Sequence, residues 1–334
     1  MSDTDPAAPP PSIPAPTPAP TIAPTGLKAR IAAVEAWQTL AGSFAFALAA
    51  DDFEAGWAER LARLAQRLRD LTAQDADLAL YMMLQTATNE LDHYSASHAM
   101  FCAVVADLCA VHFEWPEPEA GALRNAALTM NIGMHAAQNA MATQGGALSA
   151  AQKDEVDRHP ARSIELLGKA GVADPLWLET VRRHHAPLDP GERADPLTPP
   201  QRLAQLLQRI DVFTAKLSKR RTRPGSTATV AARDACLDAS GLPDPTGATM
   251  LRVLGLFPPG SFVRLASGEI GVVIRRGAKA HTPLVAGVRR SDGGLIAPPI
   301  ARDTALPAHA VQRSLAADEV KIRLDHGRVV AARG

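Results

Sequence analysis

The chain has 334 residues, 46% of them hydrophobic, enough for one large domain or two smaller ones. Lys and Arg total 35 and Asp and Glu total 35, so the formal net charge is zero. That balance argues against a nucleic-acid polymer or a membrane surface as partner, since both favour excess positive charge.

Residues 1 to 26 contain nine prolines among Ala, Thr and Ser, which predicts a disordered or polyproline-II tail. This acidic, Pro-rich start is unlike a secretory leader. The longest apolar run, around Leu40 to Ala50, is interrupted by Gly42 and Ser43 and falls short of the roughly 20 residues of a bilayer span. Cys102, Cys109 and Cys236 are odd in number and form no CxxC pair, which suits small core residues in a reducing, cytoplasmic compartment.

Residues 27 to 75 read as an N-terminal helical region. Leu61, Leu64, Leu68 and Leu71 recur at helical spacing between Arg60, Arg63, Arg67 and Arg69, and Asp51 and Asp52 suit an N-cap. Residues 76 to 255 read as a second helical unit. Its predicted helices run from Asp77 to Thr88, His93 to His112 and residues 119 to 143. Gly145 and Gly146 stop the third, Ser149 starts the next, and residues 149 to 184 hold two helices parted near Gly171 to Pro175. A Pro- and Asp-rich loop spans Asp189 to Pro200, and residues 201 to 219 return to helix. Residues 256 to 334 change texture. β-branched runs around Ser267-Gly268, then residues 283 to 289 and 319 to 331, predict a small antiparallel β module, with a turn at Ser291 to Gly294.

Chemistry concentrates in ten histidines. His98 lies in a predicted helix, His159-Pro160 in a later one, and His184-His185 closes another; Asp211 lies in the helix that follows. Imidazoles with a carboxylate suit Zn, Fe or Mn. Neighbouring side chains on a helix diverge by about 100°, so a single metal would use one of His184 and His185 and a pair of metals both. Structural or solvent-facing histidines are the alternative reading.

The order of these residues resembles the HD-GYP type of HD-domain phosphohydrolases over roughly residues 80 to 275. YSASH at 94 to 98 is similar to the first metal-binding helix, RHP at 158 to 160 to the HP motif, RRHH at 182 to 185 to the HHE motif, and RIDVFTAKLS at 209 to 218 to the Asp segment. LGLFPPGSFVRLASGEIGVVIRRG at 254 to 277 resembles the stretch that follows the catalytic domain in that family. The resemblance implies a mainly α fold, an HD-type helical bundle with a small C-terminal antiparallel β module. It also implies a bacterial cytoplasmic signalling role related to cyclic-di-GMP phosphodiesterases, with His98, His159, His184, His185 and Asp211 as metal ligands.

The chain departs from the family pattern at its namesake motif. Where HDxGK is expected, it has Met130-Asn131-Ile132-Gly133-Met134; Ala186 replaces the Glu after the histidine pair, Thr214 replaces a second Asp, and the GYP loop is absent. A thioether at 130 and an amide at 131 lack the imidazole and the bridging negative charge that hold two cations close. Impaired catalysis follows, with either one divalent metal (Fe, Mn or Zn) or none. Lys216, Lys219, Arg221 and Arg223 read as a phosphate clamp for a cyclic dinucleotide or as a solvated helix end. Three functions are compatible with these residues: nucleotide or signalling-partner binding with weak catalysis, an active phosphodiesterase with a rearranged metal site, or a protein-interaction module with structural histidines.

Overall fold

The computed structural model describes residues 26–49, 56–186, 197–222, 225–237 and 244–333. The tail reading for residues 1 to 25, the caps at Asp51 and Asp52, most of the Pro-rich loop and Arg223 lie outside them. In chain order the helices are α1 (Leu27–Leu48), α2 (Trp57–Gln74), α3 (Ala76–Asn89), α4 (Tyr94–His112), α5 (Glu117–Thr129), α6 (His135–Thr143), α7 (Ala150–Lys169), α8 (Pro175–Arg183), α9 (Pro199–Leu217), α10 (Ala228–Ala235) and α11 (Pro245–Leu254). Five strands follow: β1 (Phe262–Leu265), β2 (Ile270–Arg275), β3 (Leu284–Arg289), β4 (Leu295–Asp303) and β5 (Val311–Leu315). Two short helices, α12 (Ala317–Val320) and α13 (His326–Ala331), end the described chain. The protein is thus mainly α with a small C-terminal antiparallel sheet.

Helix α4 is the axis of the bundle, packed against α1, α3, α5, α6 and α9. Its sequence is apolar on nearly every face, and Met100, Phe101, Cys102, Val104, Val105 and Cys109 are all buried. Each large side chain taken out of water here contributes about 1.5–3 kcal/mol. By length and composition α1 and α4 are both apolar enough to cross a membrane. In this fold α4 is interior, while α1 buries Val34, Trp37, Leu40, Phe44 and Leu48 against the body. The apolar stretch of α1 therefore starts well before the Leu40 to Ala50 run that stands out in the sequence.

Local signals set several boundaries. Asp75 caps α3 by accepting from the Leu78 N–H at 2.8 Å. Ser149 and Gln152 form a reciprocal capping box at the start of α7. The segment 119 to 143 is not one helix: α5 stops at Thr129, a 3₁₀ turn covers Ile132–Met134, and α6 begins at His135. That break lets Ser163 of α7 grip the turn. Its hydroxyl donates to the Met130 carbonyl at 2.8 Å and accepts from the Gly133 N–H at 2.9 Å.

The sheet order is β4-β3-β2-β1-β5, antiparallel throughout. Alternation along β2 sends Ile270, Val272 and Ile274 into the core shared with the helices, whereas Val273 joins Phe257, Val263, Leu265 and Val285 on the other face. The strand-like pattern at 319 to 331 is overturned, since these residues form α12 and α13. Val320, Val329 and Val330, which give the segment its strand-like look, are buried side chains of these two short helices. Helix α13 returns to α1, where Gly327 abuts Ile31 and the Arg30 guanidinium donates to the Val330 carbonyl at 2.6 Å.

Candidate metal centre

His159 sits inside α7 and is followed by Pro160. Proline has no N–H, so the Val156 carbonyl four residues back loses its helical donor. The Nδ1–H of His159 takes that place and donates to the Val156 oxygen. His184 meets the same situation at a helix end. Helix α8 stops at Arg183, the Val181 carbonyl is left without a helical N–H, and His184 Nδ1 donates to it at 2.7 Å.

These two bonds fix the tautomers. A carbonyl oxygen only accepts, so each Nδ1 carries the proton and each neutral ring presents a lone pair at Nε2. The two Nε2 atoms face one another at 3.1 Å. A proton between them would make a hydrogen bond, but burial opposes it. Burial and the neighbouring His185 push His184 down to about 3, and burial likewise lowers His159. Two converging lone pairs, each backed by a backbone carbonyl, form a seat for a cation.

His185 completes this group. Because α8 has ended, the divergence expected of adjacent helical side chains does not apply. The His184 and His185 rings lie 4.1 Å apart, and His185 is 5.1 Å from the His159 ring. A tight turn, with the Ala186 N–H donating to the Arg183 carbonyl at 2.8 Å, swings both rings towards α7. One ligand atom from each of His159, His184 and His185 lies within 4.8 Å of the others.

A second group adjoins it. His98 of α4 and Asp211 of α9 meet at 2.8 Å, Nε2 to Oδ1. Cys102, one turn beyond His98, places its sulfur 3.6 Å from the same Nε2 and 3.1 Å from the Thr214 hydroxyl. The donor atoms of His98, Cys102 and Asp211 also lie within 4.8 Å of one another. Burial lowers the proton affinity of His98, but Cys102 and the hydrogen bond to Asp211 outweigh it and hold the imidazole well above its ordinary value. Burial raises Asp211 in turn, yet the His98 hydrogen bond and the fields of His98, His185 and His184 hold its carboxyl well below the usual carboxylate range. Asp211 therefore lies within electrostatic reach of both groups.

The five positions read from the sequence fall into two groups, His159 with His184 and His185, and His98 with Asp211, linked electrostatically through Asp211. Cys102, read there as a core filler, belongs with them; its place one helical turn after His98 was the signal. The donor set of four imidazoles, one carboxylate and one thiol fits a divalent metal of the Zn or Fe kind, which would displace the proton that His98 shares with Asp211. Met130 and Asn131 are buried in the turn gripped by Ser163.

The basic residues are dispersed. Lys216 pairs with Asp234, and Lys219 lies 3.6 Å from Asp318. Lys219 lines a groove of about 1000 Å³ with Gln85, Asn89, Glu90 and Lys321, and neither donor group lines it. Arg220 stacks over the Tyr94 ring at 5.3 Å, and Tyr94 in turn stacks on His98. Arg221 is exposed, anchored through its backbone N–H to the Ala142 carbonyl at 2.8 Å.

No protein-family model and no solved structure matches the chain. Among curated proteins it is similar to cyclic di-GMP phosphodiesterase PA4108 of Pseudomonas aeruginosa, at 29% identity over 217 residues. That match covers 62% of this chain and 50% of the relative, so the chain spans about half the length of the curated protein it matches. A phosphodiesterase named for a cyclic dinucleotide is thus a distant relative of the chain that brings these two donor groups together.

Proposed function

We propose that this chain is a cytoplasmic signalling protein of the HD-type phosphohydrolase kind, binding a divalent metal and a cyclic dinucleotide with impaired turnover. The observation that carries the reading is the pair of Nε2 lone pairs of His159 and His184, 3.1 Å apart with no proton to share. His159, His184 and His185 hold the metal, with Asp211 beside them. Iron, manganese and zinc all accept imidazole and carboxylate. A metal bound there supplies Lewis-acid charge to phosphoryl oxygens.

Weak turnover rests on the turn at 130 to 134. Asn131 is a neutral amide where the resembling family has a carboxylate between two cations, and Met134 stands where that family has a lysine. The named activity of the relative supports cyclic di-GMP as the nucleotide. Exposed Arg221, with Arg223 close in sequence, is the part of the basic segment suited to its phosphates. Three free cysteines agree with a reducing compartment.

The test combines metal analysis of the purified chain with cyclic di-GMP titration and a hydrolysis assay in Mn, Fe and Zn. Bound metal and nucleotide binding with slow or no hydrolysis support the reading. Brisk hydrolysis replaces it with an active phosphodiesterase, and a metal-free chain that ignores the nucleotide leaves a protein-interaction module.

A further inference from the structure

We propose that Cys102 is a metal ligand: its thiolate, with His98 and Asp211, forms a second metal seat beside the histidine group. The proposal deepens the reading above and rests on it.

Helix α4 places His98 and Cys102 four residues apart, on one face and one turn apart. Both are buried, at 1% and 0% exposure, while Asp211 is 18% exposed. For a tetrahedral ion with Zn–S of about 2.3 Å and Zn–N of about 2.0–2.1 Å, the sulfur-to-nitrogen edge is roughly 3.6 Å. The Cys102 sulfur and His98 Nε2 are 3.6 Å apart. The 2.8 Å between His98 Nε2 and Asp211 Oδ1 is a hydrogen bond that a metal would replace with a slightly longer edge.

Charge gives a second reason. Asp211 is the one carboxylate in this group, and a thiolate at Cys102 would add a second negative charge for a divalent ion. Thr214 supports that state. Its oxygen is 3.1 Å from the sulfur, so its hydroxyl can donate to a thiolate in place of its bond to the Ile210 carbonyl. Sulfur also sets preference, since a thiolate selects Zn or Fe over Mg and Mn. On binding, the Cys102 S–H and the His98 Nε2–H protons leave to solvent as metal–sulfur and metal–nitrogen bonds form, with no change of oxidation state. In the competing arrangement Cys102 is a core thiol that donates to Thr214 and takes no metal.

Cobalt(II) titrated into the chelator-stripped full chain under reducing conditions separates the two. The expected result is visible d–d absorption together with a near-ultraviolet thiolate-to-cobalt charge-transfer band, and two ions per chain. Cys102→Ser should abolish the charge-transfer band and lose one ion, while the double variant Cys109→Ser/Cys236→Ser keeps both. His159→Ala/His184→Ala should lose the other ion and keep the band. Bound cobalt without the band, or a band that survives Cys102→Ser, overturns the thiolate seat and leaves the histidine seat standing. A chain that binds no cobalt overturns both. X-ray absorption on the zinc-loaded wild type needs no variant: a sulfur shell at about 2.3 Å supports the seat, and nitrogen and oxygen alone overturn it.

Discussion

Gly133 lies directly against His159: a Cβ built on the glycine would fall 2.7 Å from the His159 carbonyl oxygen and 2.8 Å from the Ser163 nitrogen. Both neighbours are backbone in the middle of a helix and cannot step aside. Gly133→Ala is therefore expected to cost about 1–3 kcal/mol through overpacking, read from urea unfolding. Because the displaced backbone belongs to His159, metal affinity should fall in the same variant. A glycine kept only for turn flexibility would leave affinity unchanged.

Pro160 costs α7 helical stability and orients His159. Pro160→Ala restores an N–H that competes for the Val156 carbonyl, releasing the imidazole from its fixed tautomer. Metal affinity should drop about 10–100-fold, the usual effect of losing such an outer partner. Thermal stability of the metal-free protein should rise, since an interior proline costs a helix about 3 kcal/mol. Competition with a chromogenic chelator and thermal melts of the stripped protein measure the two effects, and their opposite signs are the signature.

Metal removal should be visible in the melt of the wild type. Ion bound at 100 times its dissociation constant stabilises by about 2.7 kcal/mol, worth several degrees. Zinc should raise the midpoint, a chelator should reverse it, and His184→Ala should remove the histidine group's share of the response.

How much of this was legible in the sequence differs by element. The order His98, His159, His184-His185, Asp211 was readable because each residue lies within a helix or just past the end of one. The convergence of His184 with His185 was not, because it depends on α8 ending at Arg183 instead of continuing one more turn. Cys102 was hidden by its type: a cysteine on an apolar helix looks like core until Asp211 and Thr214 arrive from α9. Strand β4 escaped notice because Pro298 and Pro299 interrupt its pattern; as an edge strand it tolerates them.

A buried ion pair far from the metal centre gives a pH signature. Asp107 accepts from Arg124 at 2.6 Å through Oδ1, while its Oδ2 is buried without a hydrogen-bond partner among the described residues. Burial outweighs Arg124 and raises the carboxyl from 3.8 to about 6. The folded state then holds the proton more tightly than the unfolded one, so this contribution is present below about pH 4 and lost as pH rises through 6. Relative to Asp107→Asn, the wild type should lose about 2 kcal/mol of stability between pH 4 and pH 7, most of the shift at 1.36 kcal/mol per unit. Urea midpoints of the two proteins across that range provide the comparison.

Among the basic residues, Arg221 should matter most for nucleotide. Lys216 is already committed to Asp234, whereas Arg221 is exposed. Arg221→Ala should weaken cyclic di-GMP binding about tenfold or more, the cost of a charged hydrogen bond. Lys216→Ala should change it little, and calorimetric titration distinguishes them.

The grip of Arg30 on Val330 ties the first helix to the last. Force that pulls on α13 is carried into α1, so neither helix can fray by itself.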